Sequence, residues 1–548
     1  MPSSIVTQFY ADAQAAIDEL LYENTTLATS MGDHRYDNRL GDLSPEGILR
    51  QRAQIGRWLT VFNTYDPSTW PVDSRIDLIL IKQLLVQVIR NFDKLRLPQR
   101  YPGAGADECL GGVYTLIIKE FAPLPERLKS ILGRLRDVPR VLASSRAPLD
   151  AQAVPPVWAE IALESAQQGI GLFSGMIPAL AEAAPELKDD LIAAAQSAAT
   201  ALTEHAIWIE KEVVPHAQGE FAVGKEIFDE MLREDHMVDY EADQLLATGW
   251  RLFDETKQQM VAVAAQIDPS KTASELLEEA KRNHPAANEL LDTYRQWMAK
   301  ARQFVVDHAI ATIPPGESIR IEPTPPFQRM LIPYAAYMMP GFFEKVQEGI
   351  FWVTPMDENA DPESVERKLR GHPLADIPVT ALHEAYPGHH LQLVVSNTSE
   401  SLPRKLGAFM STLFIEGWAF YCEELMEQLG FIDQPIQKLA RLQAQLWRAA
   451  RIILDSSLHT GKMTVDEGIQ FLVERAGLEP DDAKAEVRRY TQSPTQPQSY
   501  LMGKLQILEI VAEYKRRSPN ASMRQMHDDI LRGGSLPPRL MRLRLFGA

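Results

Sequence analysis

Thr380-Ala381-Leu382-His383-Glu384-Ala385-Tyr386-Pro387-Gly388-His389-His390-Leu391-Gln392 is the stretch on which the reading of this sequence turns. On a regular helix, two imidazoles at i and i+4 can hold one zinc ion, and a Glu following the first His activates water. Here the second His stands six residues on, at His389, or seven, at His390. Six residues is about 600° of helical turn, so the two rings would diverge; seven restores the face but separates the rings by about 10.5 Å along the axis. Pro387 and Gly388 resolve the conflict. Proline removes an amide donor and collides with the carbonyl four residues back, and glycine tolerates the dihedrals of a bulge. If the bulge absorbs two residues, His389 arrives where i+4 would stand and both imidazoles reach one ion. His390 then turns away, or serves as the alternative ligand.

A catalytic zinc site needs a third protein ligand and an open position for water. In Leu413-Phe414-Ile415-Glu416-Gly417-Trp418-Ala419 the carboxylate of Glu416 lies in apolar company, where a lone charge is costly and a partner is demanded. Glu423 is the competing ligand, beside the soft donor Cys422, but it opens the acidic run Glu423–Glu427, which reads as a solvated face. Against a metal, Glu416 could instead pair with Arg448 or Arg451. These arginines, with Asp455 and His459, place a polar stripe on an otherwise apolar helix. Tyr500 follows at a loop-to-helix junction after Pro494 and Pro497, where its hydroxyl can face a cavity.

Away from this centre, apolar residues recur at three- and four-residue intervals over Ile5–Tyr22, Ile76–Leu95, Val154–Ala184, Leu187–Val214, Tyr240–Ile267 and Ala286–Ala311. The same period returns in Ile377–Ser396, Lys405–Leu429, Gln434–Leu458, Thr464–Ala476, Asp481–Thr491, Leu501–Arg517 and Ser522–Arg532. Between them, Pro314, Pro315, Pro323, Pro325, Pro326, Pro333 and Pro340 forbid a long helix. Ser318–Glu322, Tyr334–Met339 and Gly349–Thr354 predict a small sheet immediately before the motif, and the middle segment could form an edge strand for an extended peptide.

The 548 residues are 45% hydrophobic and 24% charged, the proportions of a globular chain with a large core. With 74 Asp and Glu against 56 Lys and Arg, the net charge of −18 opposes nucleic-acid backbones and anionic membranes, so neither is an expected partner. Cys109 and Cys422 are the only cysteines, too few for a disulfide scaffold or a Cys-rich zinc module. Neither a signal-peptide pattern nor an apolar run of ~18 residues is present, and a cytoplasmic protein is expected.

The string His-Glu-Ala-Tyr-Pro-Gly-His-His-Leu-Gln, with Glu416-Gly417-Trp418-Ala419, the Arg451–His459 helix, and Gln496, Ser499-Tyr500 and Gly503, resembles a bacterial family known as domain of unknown function 885. Looser matches are Gly32–Ser44 and Phe221–Glu226. That family is itself similar to helical zincin-type peptidases of the thimet oligopeptidase and thermostable carboxypeptidase kind. The resemblance implies a mainly α-helical, two-lobed body with a deep central cleft and a small β-sheet at its edge. Residues 1–310 would form one cleft wall, and residues 311–548 the catalytic lobe, with strands near 318–354. It implies a zinc ion held by His383, His389 and Glu416, with Glu384 as general base and Tyr500 as oxyanion donor; His459 is a further candidate donor. The expected activity is a zinc metallopeptidase, a carboxypeptidase or an oligopeptidase, acting on short peptides. Two other readings stay open, an amidohydrolase acting on small non-peptide amides and a helical binding protein with a degenerate motif.

Overall fold

The computed structural model describes residues 4–325, 329, 332, 334–357, 360–407 and 411–547; Pro326 and Pro333 lie outside them. The chain forms two compact units. One comprises Met1–Val223 with the short segment Gly341–Lys345, and the other Gly224–Pro340 with Val346–Ala548.

In the first unit helix follows helix, with Pro45–Asn63, Ala104–Ile118 and Leu124–Ser144 lying outside the segments expected to be helical. Ser4–Glu23 buries Val6, Phe9, Ala13, Ala16, Ile17 and Leu21, and Phe9 meets Phe62 and Trp70 ring to ring. The reading over 154–184 is one helical run, Pro156–Ala181, interrupted by a π turn at Leu172–Met176. A second π turn, Ile209–Val213, follows Lys188–Trp208.

The second unit begins earlier than the expected boundary at residue 310, because Ala242–Ile267 lies along Pro435–His459. Gly249 permits that approach: a Cβ there would sit 2.9 Å from Ile452 and 3.0 Å from Ile453. Gln445 donates to Thr256 at 3.0 Å across the same seam. Helix Val465–Ala476 carries a reciprocal Thr464–Glu467 cap at its start and Gly477, with φ 72°, at its end, the signals its sequence carries.

The three strands occur where expected: β1 Ser318–Pro323, β2 Ala335–Met338 and β3 Glu348–Val353. Their order is β1-β3-β2, with β1 parallel and β2 antiparallel to β3. The central strand is therefore the apolar one, with Ile350, Phe351, Trp352 and Val353 buried, and β2 is an edge. Two expected helices are broken. Lys405–Leu429 is Leu402–Leu406 followed by Leu413–Gln428, with 408–410 outside the described residues. Ile377–Ser396 is Ile377–Glu384 followed by His389–Asn397. Among the described residues no helix is long and apolar enough to cross a membrane.

Candidate metal centre

The break inside the motif does what the spacing requires. Ala385 leaves helical geometry at φ −110°, ψ −86°, the Tyr386–Pro387 peptide is cis, and a new helix begins at His389. The Gly388 amide donates back to the Leu382 carbonyl at 3.0 Å. A Cβ on Gly388 would run into the carbonyl oxygen of His383, so only glycine fits. The turn is braced from outside by Trp418, whose indole N–H donates to the Pro387 carbonyl at 2.8 Å.

His383 and His389 are thereby brought ring to ring, centroids 4.7 Å apart and planes at 88°. Glu416 closes the group, its Oε2 3.4 Å from His389 Nε2. One ligand atom from each of the three lies within 4.8 Å of the others, and this is the one such trio among the described residues. Two imidazoles and a carboxylate are a donor set for a divalent ion. Tetrahedral bonds of about 2.0–2.1 Å would set the ligand atoms about 3.3 Å apart, which the His389–Glu416 pair already matches.

Glu423, read from sequence as part of a solvated face, is 2% exposed. Its Oε1 lies 2.7 Å from His383 Nδ1, which fixes the ring and leaves Nε2 for a ligand. The signal was available, since Glu423 follows Glu416 by two helical turns and shares its face. His389 has no such support: its buried Nδ1 has no hydrogen-bond partner among the described residues. His390 is turned away. Its Nδ1 meets the Tyr337 hydroxyl at 2.9 Å and its Nε2 meets Glu317 at 2.7 Å. Tyr386 and Arg302 also donate to Glu317. Burial works against that charge, but the hydrogen bonds outweigh it and hold Glu317 below the usual carboxylate range.

Glu384, Tyr337, Met339, Arg448, Arg451 and Tyr500 join the trio in lining a cavity of about 360 Å³. Tyr500 is placed beside Glu416 by two glycines. Helices Leu413–Gln428 and Ser499–Arg517 cross where Gly417 meets Gly503 backbone to backbone, leaving no room for a Cβ on either. The turn ahead of Tyr500 is anchored by Asp455, which accepts from the amides of Thr495 at 3.0 Å and Gln498 at 3.3 Å.

Burial alone would raise the pKa of Glu416, but the His389 and His383 imidazoles and the Arg451 guanidinium override it and hold the carboxylate at about 2. Burial pulls the His389 pKa down; Glu416, Glu384 and Glu423 more than reverse this, lifting it above the ordinary value. Burial and the Glu416 charge push the Tyr500 phenol up against the pull of Arg451 and Arg448, so its hydroxyl keeps its proton at neutral pH and can donate.

His459 does not join this site. It is fully buried, its Nε2 is 2.9 Å from the Tyr490 carbonyl, and it stacks on Phe228. Burial lowers its pKa to about 4. The stripe from Arg448 through His459 keeps to one face of the helix, but each step of eight residues also travels about 12 Å along the axis, which carries His459 past the cavity.

The sequence pattern of the family described as "Bacterial protein of unknown function (DUF885)" matches residues 26–545. The chain belongs to this family. No curated protein matches it. Two solved structures share the DUF885 fold found here, both described as a "putative lipoprotein". One, of unknown function, is from Shewanella oneidensis, with a TM-score of 0.80 and 24% identity over 97% of this chain and 98% of that one. The other is from Colwellia psychrerythraea, with a TM-score of 0.84 and 19% identity over 99% and 98%. At these identities the likeness is one of fold. The cytoplasmic expectation is corrected by these neighbours to this extent: both are described as lipoproteins, a class anchored to membranes, so the fold does not mark a cytoplasmic protein. Scarcity of cysteine does not decide the compartment, since a helical core of this size needs no disulfides in either.

Proposed function

We propose that this DUF885 protein is a zinc-dependent hydrolase of the zincin-like helical type, cutting short peptides. The observation that carries the reading is the convergence of His383, His389 and Glu416, from three helices, on one cavity that Glu384 also lines. The trio would hold the ion and Glu423 would orient His383. A zinc ion there supplies a Lewis acid and lowers the pKa of water.

The chain's own residues do the rest. Glu384 takes the proton of the attacking water and returns it to the leaving amine nitrogen. The protonated Tyr500 hydroxyl donates to the oxyanion that develops on the former carbonyl, a contribution of about 3–4 kcal/mol for donors of this kind. The edge strand β2, with its Tyr337 and the following Met339 at the cavity, offers backbone groups to an extended peptide.

Metal analysis of the purified chain, with zinc titration, tests the base of the reading: one ion per chain is expected, and none bound before or after titration overturns it. A peptide library run beside a panel of small non-peptide amides separates peptidase from amidohydrolase. Glu384→Gln is expected to lower the rate by about 10²–10⁴ with zinc retained; peptide bound without turnover, and bound equally by Glu384→Gln, would favour a binding protein with a degenerate motif.

A further inference from the structure

A second cavity, of about 450 Å³, lies wholly within the first unit, lined from helices Ser4–Glu23, Pro45–Asn63 and Val72–Asp93 and from the first residue of Ala104–Ile118. Its lining is chiefly aliphatic, with Leu20, Leu27, Ile55, Leu84, Leu85 and Val88 among the side chains it presents. Polar ties fix the spacing of the three long helices. Glu23 takes two hydrogen bonds from Arg50, at 2.9 and 3.0 Å. Glu19 accepts from the Trp58 indole N–H at 2.9 Å and pairs with Arg57, and Arg52 donates through Nε to Asp93 at 2.8 Å. The three arginine side chains are between 33% and 53% exposed, so these ties are made at solvent.

The charge in this lining is already matched. Glu19 and Glu23 are its carboxylates, each held by an arginine, and no lysine, arginine or histidine lines it. Most of the remaining polar side chains are committed too. Asn24 donates to the Leu20 carbonyl at 2.8 Å, Gln51 to the Asp42 carbonyl at 3.1 Å, Ser145 to the Leu142 carbonyl at 3.1 Å, and Tyr101 to Asp107. Gln54 and Asn91 are different. Both line the cavity, both are half-buried, and neither carboxamide has a hydrogen-bond partner among the described residues. An apolar pocket with a few uncommitted polar groups is the common form of a small-molecule site.

We propose that this cavity binds an uncharged single-chain amphiphile, a medium-chain fatty amide or alcohol, with its chain against the aliphatic lining and its head on Gln54 and Asn91. A charged head is disfavoured, because a carboxylate or an ammonium leaving water would find no free opposite charge in the lining. A carboxamide or hydroxyl head both donates and accepts, and the two side-chain amides can answer both. The volume equals that of about 15 water molecules in the liquid, room for a chain of about eight to ten carbons with its head. The site draws on none of the metal-centre residues and stands or falls independently of the hydrolase reading.

The test titrates the full chain by calorimetry at neutral pH with octanamide, octanoate and octylamine, which share a chain and differ in the head. Octanamide is expected to bind about tenfold more tightly than either ion. Going from hexanamide to octanamide should tighten binding about 15-fold, or about fourfold for each CH₂ buried. Gln54→Leu and Asn91→Leu alter side chains that hold no partner in the fold, and each should weaken octanamide about two- to tenfold. Val88→Trp should abolish binding by filling the space, with a melting curve to show that the chain is folded; Ala104→Phe fills it from another helix. Absence of saturable octanamide binding up to ~1 mM overturns the proposal, as does binding indifferent to head and chain length. Full binding by the folded Val88→Trp or Ala104→Phe chain, or binding that both leucine variants leave unchanged, overturns it equally.

Discussion

Among the described residues, two clusters in which histidine sits between two or more carboxylates are built to opposite ends. In the first unit His34 lies between Asp37, at 2.8 Å, and Glu344, at 3.3 Å, with its ring stacked on Phe121 at 3.5 Å. Both ring nitrogens are used. Thr29 donates to Asp37, and Arg134 approaches the same carboxylate at 3.7 Å. Burial opposes charge on His34, but the hydrogen bonds to Asp37 and Glu344 outweigh it and lift the imidazole to about 9, so the ring is a cation at neutral pH and closed to metals. In the second unit Glu423 takes only Nδ1 of His383, and the remaining ligand atoms converge on a cavity. A His–carboxylate pair is thus a strut when every donor finds an acceptor, and a candidate metal centre when the fold leaves one nitrogen of each ring uncommitted.

That contrast can be broken experimentally. The largest effect is expected from the carboxylates. Glu423→Gln should weaken zinc binding by about 10–100-fold, the usual range for such outer partners, and Glu344→Gln should leave it unchanged, both read by competition with a chelator. Equal losses would erase the distinction. A smaller effect should appear with pH. Because folding raises the His34 pKa from 6.5 to about 9, its stabilisation is complete below about pH 6.5 and fades as pH rises through 9. Allowing for partial exposure, the loss is about 1 kcal/mol. Denaturant midpoints from pH 6 to 9.5 measure it, and His34→Gln should flatten that part of the profile. The smallest effect is expected at His459. His459→Gln should lower the melting temperature by a few degrees as a core change but leave kcat/KM within about twofold; a hundredfold loss would return it to the site.

How legible all this was in the sequence depended on distance along the chain. Helices and strands declared themselves through local period, and the Pro387-Gly388 break was readable because the fault in spacing between His383 and His389 lies within seven residues. Glu423 was misread because its neighbours Glu424 and Glu427 are acidic and polar, and local composition hid a face shared with Glu416. Glu317, whose carboxylate fixes His390, is 73 residues from it and gives no local sign at all. His459 failed for the opposite reason: the period along its helix was right, but angular agreement says nothing about axial reach.

The crossing of Gly417 and Gly503 has a practical meaning for anyone altering this protein. It ties a proposed ligand to the proposed oxyanion donor by main chain alone, so no side chain can be trimmed to change their spacing. The adjustable part of the cavity lies elsewhere in its lining, where Tyr337, Met339 and Leu393 present side chains of different size and polarity. Variation confined there would retune what enters, and the two glycines would keep the machinery in register like a keyed shaft.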